Sequence, residues 1–205
     1  MQTKRRTTAA GVAAWCAGIV AMLAGTPAGM AQLDLSNFGK PTYNDSRDRV
    51  GVSVVAAKTK VMPGGDIPLA IVLDHDPGWH IHTNRPPTFD KFKPIPTQVR
   101  VDVPSDAPIT AYPNLIQWPQ IHTIEADFTG SSDPYPVFDG KAVVYLPLTV
   151  AADAKPGTWT VNVFVQFQAC DEKACLTPTP LFVNDMFGRE PVPYPVQIEI
   201  VAVVE

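Results

Sequence analysis

The sequence predicts an all-β fold, an immunoglobulin-like antiparallel β-sandwich that carries one long irregular loop region. Three observations predict it. Apolar-rich segments of strand length recur at 50–61, 67–73, 79–83, 98–103, 142–150, 159–168 and 196–204 of the 205 residues. Turn chemistry separates nearly all of them, as in Pro63-Gly64-Gly65-Asp66, Asp76-Pro77-Gly78 and Lys155-Pro156-Gly157. The 22 prolines are scattered along the chain and leave long helices little room.

Ahead of these segments, Lys4-Arg5-Arg6, an apolar run over 9–25 and small residues ending at Ala31 have the pattern of a secretory signal peptide, residues 1–31. Gly18, Gly25, Pro27 and Gly29 interrupt the run and leave it shorter than the roughly 20 apolar residues of a membrane span. Thr7-Thr8 follows Arg5-Arg6 where twin-arginine export would favour apolar residues. Loss of the three basic residues takes the net charge from -4 to about -7. So acidic a mature chain is expected not to bind nucleic acid. No later stretch is long and apolar enough for stable membrane insertion.

Residues 32–48 are polar, include Gly39-Lys40-Pro41 and show no period, so they read as a flexible N-terminal arm before a single domain at 49–205. The region 104–140 is rich in Pro, Asp and aromatic residues and also lacks a period. Loops of that length are functional or disordered. Its rings, Tyr112, Trp118, Phe128, Tyr135 and Phe138, supply apolar area to pack and argue against disorder. In the segment 159–168, Val161, Val163, Val165 and Phe167 alternate with Asn162, Phe164, Gln166 and Gln168. That alternation carries a strand into Cys170.

Of the three cysteines, Cys16 lies in the apolar run and leaves with the signal peptide, so the mature chain keeps Cys170 and Cys175 in an oxidising compartment where a disulfide persists. The four residues between them, charged or small, suit a tight exposed turn, and Pro178 and Pro180 bar a helix beyond it. In the chain-entropy model, closing so short a loop stabilises a fold by only about 2 kcal/mol, against nearly 5 for a loop of about 100 residues. A close-spaced disulfide at a strand end suits exchange with another protein's thiolate, and short loops also carry inert bridges. Both roles stay open on spacing alone.

In Gly78-Trp79-His80-Ile81-His82-Thr83, His80 and His82 are two apart in a strand and share a face. Alone they are a polar surface pair; with Cys170 and Cys175 they make a two-cysteine, two-histidine set for a metal such as copper, in a spacing that fits no familiar zinc ribbon. An imidazolium beside a sulfur would instead lower a thiol's pKa. Glu125-Ala126-Asp127-Phe128-Thr129-Gly130 reads by itself as a surface loop with one buried ring.

Together these residues resemble a known family. Phe167-Gln168-Ala169-Cys170 and Cys175-Leu176-Thr177-Pro178 are similar to the active-site segments of the N-terminal periplasmic domain of the DsbD thiol:disulfide interchange family. Residues 78–82 resemble the family's strand beneath the active site, and Asp127-Phe128-Thr129-Gly130 resembles its cap loop; the likeness covers roughly 50–183. It implies a periplasmic immunoglobulin-like domain whose Cys170–Cys175 disulfide cycles with the dithiol and relays reducing equivalents. Phe128 would cap the disulfide, Asp127 would be the acid near the sulfurs, and Phe167, His80 and His82 would support or line the site. The implied partners are thioredoxin-fold periplasmic proteins and a membrane electron-transfer protein. The sequence stops at Glu205, where the family's full-length protein continues into membrane and thioredoxin-like domains, so that electron supply is expected in trans.

The chemistry calls for no cofactor. Four residues between the cysteines, Ala126 where a second acid can occur, and Thr177 between Leu176 and Pro178 depart from the family pattern. Neither sulfur has a helix N-terminus to mark it as the nucleophile; Cys170 is taken as the one that bonds a partner. The remaining alternative is a non-catalytic interaction domain with a structural disulfide.

Overall fold

The structure, a computed structural model, describes residues 43–89, 92–125, 133–183 and 188–202. The signal segment, most of the arm, and Asp127 and Phe128 of the cap loop lie outside the described residues. Among the described residues the chain forms β1 (Val50–Ala56), β2 (Lys60–Val61), β3 (Asp66–His75), β4 (His80–His82), β5 (Gln98–Asp102) and β6 (Ile109–Ala111). It continues with β7 (His122–Ile124), β8 (Tyr135–Asp139), β9 (Lys141–Val150), β10 (Gly157–Gln166), β11 (Ala169–Cys170) and β12 (Tyr194–Ile200). The α-helix is absent from the described residues, and none of their helices is long and apolar enough to cross a membrane.

Three four-stranded sheets result, ordered β1-β3-β9-β6, β2-β12-β10-β5 and β11-β4-β8-β7. Alternation in β3 and β9 places Ile67, Leu69, Ile71 and Leu73 opposite Leu148, Leu146, Val144 and Ala142 on one buried face. Val161, Val163 and Val165 of β10 with Val196, Ile198 and Ile200 of β12 form the facing layer, in the same contiguous core. The all-β, immunoglobulin-like class expected from the alternation is the one observed.

Several elements depart from the sequence reading in instructive ways. The segment 50–61 is two strands, because the chain crosses from the first sheet to the second after Ala56: Ala57 N–H still donates to Pro68 (2.9 Å), whereas Thr59 accepts from Glu199 N–H (2.7 Å). Pro68 and Pro147 sit opposite each other in the two central strands of the first sheet. Their carbonyls accept from Ala57 and Tyr112 on the outer sides, so each missing N–H faces the end of a neighbouring strand and the central pairing loses nothing. Within 104–140, β6, β7 and β8 are too short, and β8 too interrupted by Pro136, to show a period.

Two turns set the position of the third sheet. Asp76-Pro77-Gly78-Trp79 closes with Trp79 N–H donating to Asp76 (3.0 Å), and Gly78 takes φ 80°, the left-handed value that a proline-glycine turn demands. Gly140, φ 57°, joins β8 to β9. Its carbonyl accepts from both the backbone N–H (2.8 Å) and the Nδ1–H (2.7 Å) of His75.

Candidate functional site

The site grows from the place where β10 gives out. The second sheet's ladder ends at Gln166, and the Thr179 hydroxyl takes over, accepting from Phe167 N–H (2.9 Å) and donating to the Val165 carbonyl (2.9 Å). Phe167 is fully buried in the main core together with Ala169 and Ile81. The chain then enters the third sheet as β11, with Ala169 opposite Ile81 and Cys170 opposite His80. Ser46, in the last part of the stretch read as an arm, is fully buried here: its hydroxyl accepts from Ala169 N–H (2.8 Å) and donates to the Thr177 carbonyl (2.8 Å).

After Cys170 the chain reverses in a hairpin. Asp171 N–H donates to Ala174 (2.9 Å), Leu176 N–H donates to Ala169 (2.8 Å), and the Asp171 carboxylate accepts from the N–H groups of Lys173 (2.8 Å) and Ala174 (2.7 Å). Those two backbone bonds hold the pair Cys170 and Cys175 across the hairpin, with Cα atoms 4.0 Å apart and the sulfurs joined in a disulfide. The bridge therefore links positions that hydrogen bonds already hold together, and as a brace it restrains little. The sulfurs are not equivalent: Cys170 is 0% exposed, whereas Cys175 is partly exposed. Cys175 is thus the more exposed of the two sulfurs, whereas the sequence-based choice of partner-bonding sulfur is Cys170.

A histidine lies against the buried sulfur. His82 Nε2 lies 3.5 Å from Cys170 Sγ, and His82 Nδ1 lies 2.8 Å from the Tyr135 hydroxyl. β4 runs between β11 and β8, so one strand register brings residues 88 and 53 positions apart into a single relay. Phe92 and Tyr135 pack edge-on against the His82 ring at 5.6 and 5.7 Å between centroids, and together with burial they leave the imidazole 0% exposed. Tyr135 and Val137 form a second small cluster with Phe89 and Ile124, which covers this face of the third sheet. Burial pushes the Tyr135 phenol up, so it stays protonated and can donate to or accept from the imidazole.

His80 is buried, opposite Cys170 on one side and Asp139 on the other. Burial first, then the neighbouring His75, pulls its pKa down to about 4; burial first, then His80, does the same for His82, also to about 4. Burial likewise lowers His75. All three rings are neutral at pH 7. An unfolded imidazole titrates near 6.5, so between about pH 6.5 and 4 the unfolded chain holds more protons than the folded one. Stability is accordingly expected to be full above about pH 6.5 and to fall as the pH drops towards 4, by up to about 1.4 kcal/mol per pH unit for each histidine. Urea melts across that window check this: His82→Phe should remove about one proton from the slope, and an unchanged slope contradicts the burial of a neutral ring.

Of the sequence-predicted site residues, the structure brings Cys170, Cys175 and His82 to one point, sets His80 beside them, and places Phe167 in the core beneath. Asp127 and Phe128 lie outside the described residues. Sequence reasoning missed Tyr135, Ser46, Thr179 and His75. A cleft of about 620 Å³ opens beside the hairpin, lined by His75, Trp79, His80, Glu125, Asp139 and Glu172 among others.

Comparison with known proteins finds one family model and several similar solved structures. A family model described as "Thiol:disulfide interchange protein DsbD, N-terminal" matches residues 51–185. No curated protein matches the sequence. Similar solved structures include the N-terminal periplasmic domain of ScsB from Proteus mirabilis (13% identity, 79% of this chain and 50% of that one, TM-score 0.42). The chain thus spans half the length of that structure. The DsbD N-terminal domain of Neisseria meningitidis in the reduced form is also similar (11% identity, 82% and 94% covered, TM-score 0.37). So is the seventh ScaB type I cohesin of Pseudobacteroides cellulosolvens (13% identity, 75% and 96% covered, TM-score 0.38). At these TM-scores the structural likenesses add no geometry to the site.

Proposed function

The chain belongs to the family of the DsbD N-terminal domain, a thiol:disulfide interchange family, and on that premise we propose that it is a periplasmic module whose Cys170–Cys175 pair exchanges reducing equivalents with thioredoxin-fold proteins, a separate membrane protein supplying them. The observation that carries the reading is the placement of the two sulfurs, one open to a visitor and the other buried against His82.

In the reducing direction, a partner thiolate attacks Cys175 Sγ. The Cys170–Cys175 bond breaks as the Cys175–partner bond forms, and the electron pair leaves on Cys170 Sγ. That sulfide emerges 3.5 Å from His82 Nε2. With the Tyr135 hydroxyl donating to Nδ1, Nε2 carries the proton and donates to the new thiolate, which lowers its pKa and speeds its departure. The partner's second thiolate then attacks its own mixed-disulfide sulfur and releases Cys175. Two electrons and two protons have moved from the partner dithiol to the Cys170/Cys175 pair, and the partner is left as a disulfide. The reverse sequence oxidises the domain.

Phe128, on the family's cap-loop pattern, would screen Cys175 from small thiols, and Asp127 would be the acid next to the sulfurs. The test is redox equilibration of the oxidised domain with a reduced thioredoxin-fold protein. The appearance of the partner's disulfide together with two thiols on the domain is expected; a Cys170–Cys175 bond that stays intact overturns the reading.

A further inference from the structure

We propose that the reduced site is a three-donor metal centre, in which Cys170 Sγ, Cys175 Sγ and His82 Nε2 hold a single Cu(I) ion. The inference deepens the exchange reading, because exchange is what delivers the dithiol in the envelope. The four-donor set expected from the sequence included His80; the set proposed here leaves it out. Among the described residues, the metal-ligating groups that converge are His82, Cys170 and Cys175, with their donor atoms all within 4.8 Å of one another. His80 stands opposite Cys170 in the sheet and does not join them.

The geometry suits a three-coordinate ion. Metal–sulfur and metal–imidazole bonds of about 2.3 and 2.0 Å at trigonal angles set sulfur and nitrogen roughly 3.7 Å apart. Cys170 Sγ and His82 Nε2 are already at 3.5 Å. On reduction the two sulfurs are expected to part to a non-bonded separation by side-chain rotation. The backbone hydrogen bonds Asp171–Ala174 and Leu176–Ala169 keep the hairpin closed while they do so.

The ring is also oriented for the task. When Nδ1–H donates to the Tyr135 oxygen, 2.8 Å away, the Nε2 lone pair points at the sulfurs. That outer hydrogen bond is the arrangement that fixes the tautomer of metal-ligating histidines. The tyrosine hydroxyl both donates and accepts, so one contact serves thiolate stabilisation with the proton on Nε2 and metal ligation with the proton on Nδ1.

The donor set narrows the choice of metal. Two soft thiolates and one borderline imidazole suit three-coordinate Cu(I); Zn(II) also accepts such a set when water fills a fourth position, so it is the ion copper must outcompete, and the three-ligand count from X-ray absorption separates the two. Cys170 and His82 are fully buried, and Cys175 leaves one open approach. Binding releases the two thiol protons and involves no electron transfer: the dithiol and Cu(I) give a copper dithiolate and two protons. Metal and partner then compete for Cys175, so a copper-loaded domain is expected to be inert in exchange.

The experiment is a titration of Cu(I) into the full domain, reduced chemically with a phosphine and set against bicinchoninate as the competing chelator. The reduced protein is expected to remove one equivalent of copper from the chelator, and the oxidised protein none. Tyr135→Phe, which keeps the packed ring, should weaken binding about tenfold, and His82→Phe by more. X-ray absorption at the copper edge should find two sulfur neighbours and one nitrogen.

A reduced protein that leaves copper on the chelator, a copper-loaded site with four ligands, or an affinity that both variants leave unchanged would overturn the metal centre. Because the reductant here is chemical, failure of copper binding leaves the exchange reading standing, and failure of exchange with a thioredoxin-fold protein leaves the copper result standing.

Discussion

Cys170→Ala is expected to accumulate a stable mixed disulfide between Cys175 and a thioredoxin-fold partner, whereas Cys175→Ala accumulates essentially none. The asymmetry follows from exposure. Cys175 is partly open and Cys170 is 0% exposed, enclosed by the third sheet and the His82 ring. In wild-type protein a Cys175–partner bond is short-lived, because Cys170 lies across the hairpin and attacks it intramolecularly, at the high effective concentration that proximity confers. Removing Cys170 deletes that resolving thiolate; with the partner's second cysteine also replaced by alanine, and Cys175 first activated as its thionitrobenzoate disulfide, the partner thiolate displaces thionitrobenzoate and stays attached. Removing Cys175 leaves one buried thiol that no partner sulfur can approach in line. The species is read by non-reducing electrophoresis and peptide mass mapping. Mixed disulfides mapping to Cys170 in the Cys175→Ala variant, in yield equal to the converse, would mean that burial does not choose the nucleophile.

His82→Phe should slow reduction of the Cys170–Cys175 bond on the order of ten- to a hundredfold at pH 7 while leaving the fold intact. Thiolates leave faster when their pKa is lower, and a buried thiolate without a donor has its pKa raised. In the proposed exchange, Nε2–H is the donor, and the Tyr135 hydroxyl, 2.8 Å from Nδ1, supports that tautomer by donating to Nδ1. Phenylalanine fills the same volume against Phe92 and Tyr135 but offers no proton. The pKa of the Cys170 thiol, read from thiolate absorbance in the reduced protein, should rise in this variant. Tyr135→Phe should shift it in the same direction by less, since it only loosens the tautomer. A rate and a thiol pKa that both match wild type would remove the histidine from the chemistry and leave it a packing residue.

Much of this was legible in the chain itself. Period-two alternation placed the long strands, because β3, β9 and β10 bury one face each and give the sequence enough length to show it. Turn chemistry at Asp76-Pro77-Gly78 located β4, and the two-residue spacing put His80 and His82 on one side of it. What stayed hidden depends on register between distant strands. The Tyr135–His82 contact exists because β8 pairs with β4, and β8 is five residues long with a proline in it, too short and broken for any period to mark. Ser46 satisfies the Ala169 N–H from 123 positions away, within a stretch whose polar composition gives no sign of burial. The difference between the two cysteines is likewise tertiary: both sit at the base of the same hairpin, and the strand β4 alongside β11 encloses only Cys170.

The bond at the centre of the site lies across a six-residue hairpin that two backbone hydrogen bonds already hold, so its worth to the fold is about 2 kcal/mol and its use is elsewhere. The measurement that tests this most directly is the reduction potential of the Cys170–Cys175 pair, read from the redox equilibrium with a thioredoxin-fold protein of known potential. An exchange-active pair is expected above about -300 mV, within reach of such proteins. A value well below that, with the bond unmoved by a large excess of the reduced partner, would make it a structural bridge and contradict the account.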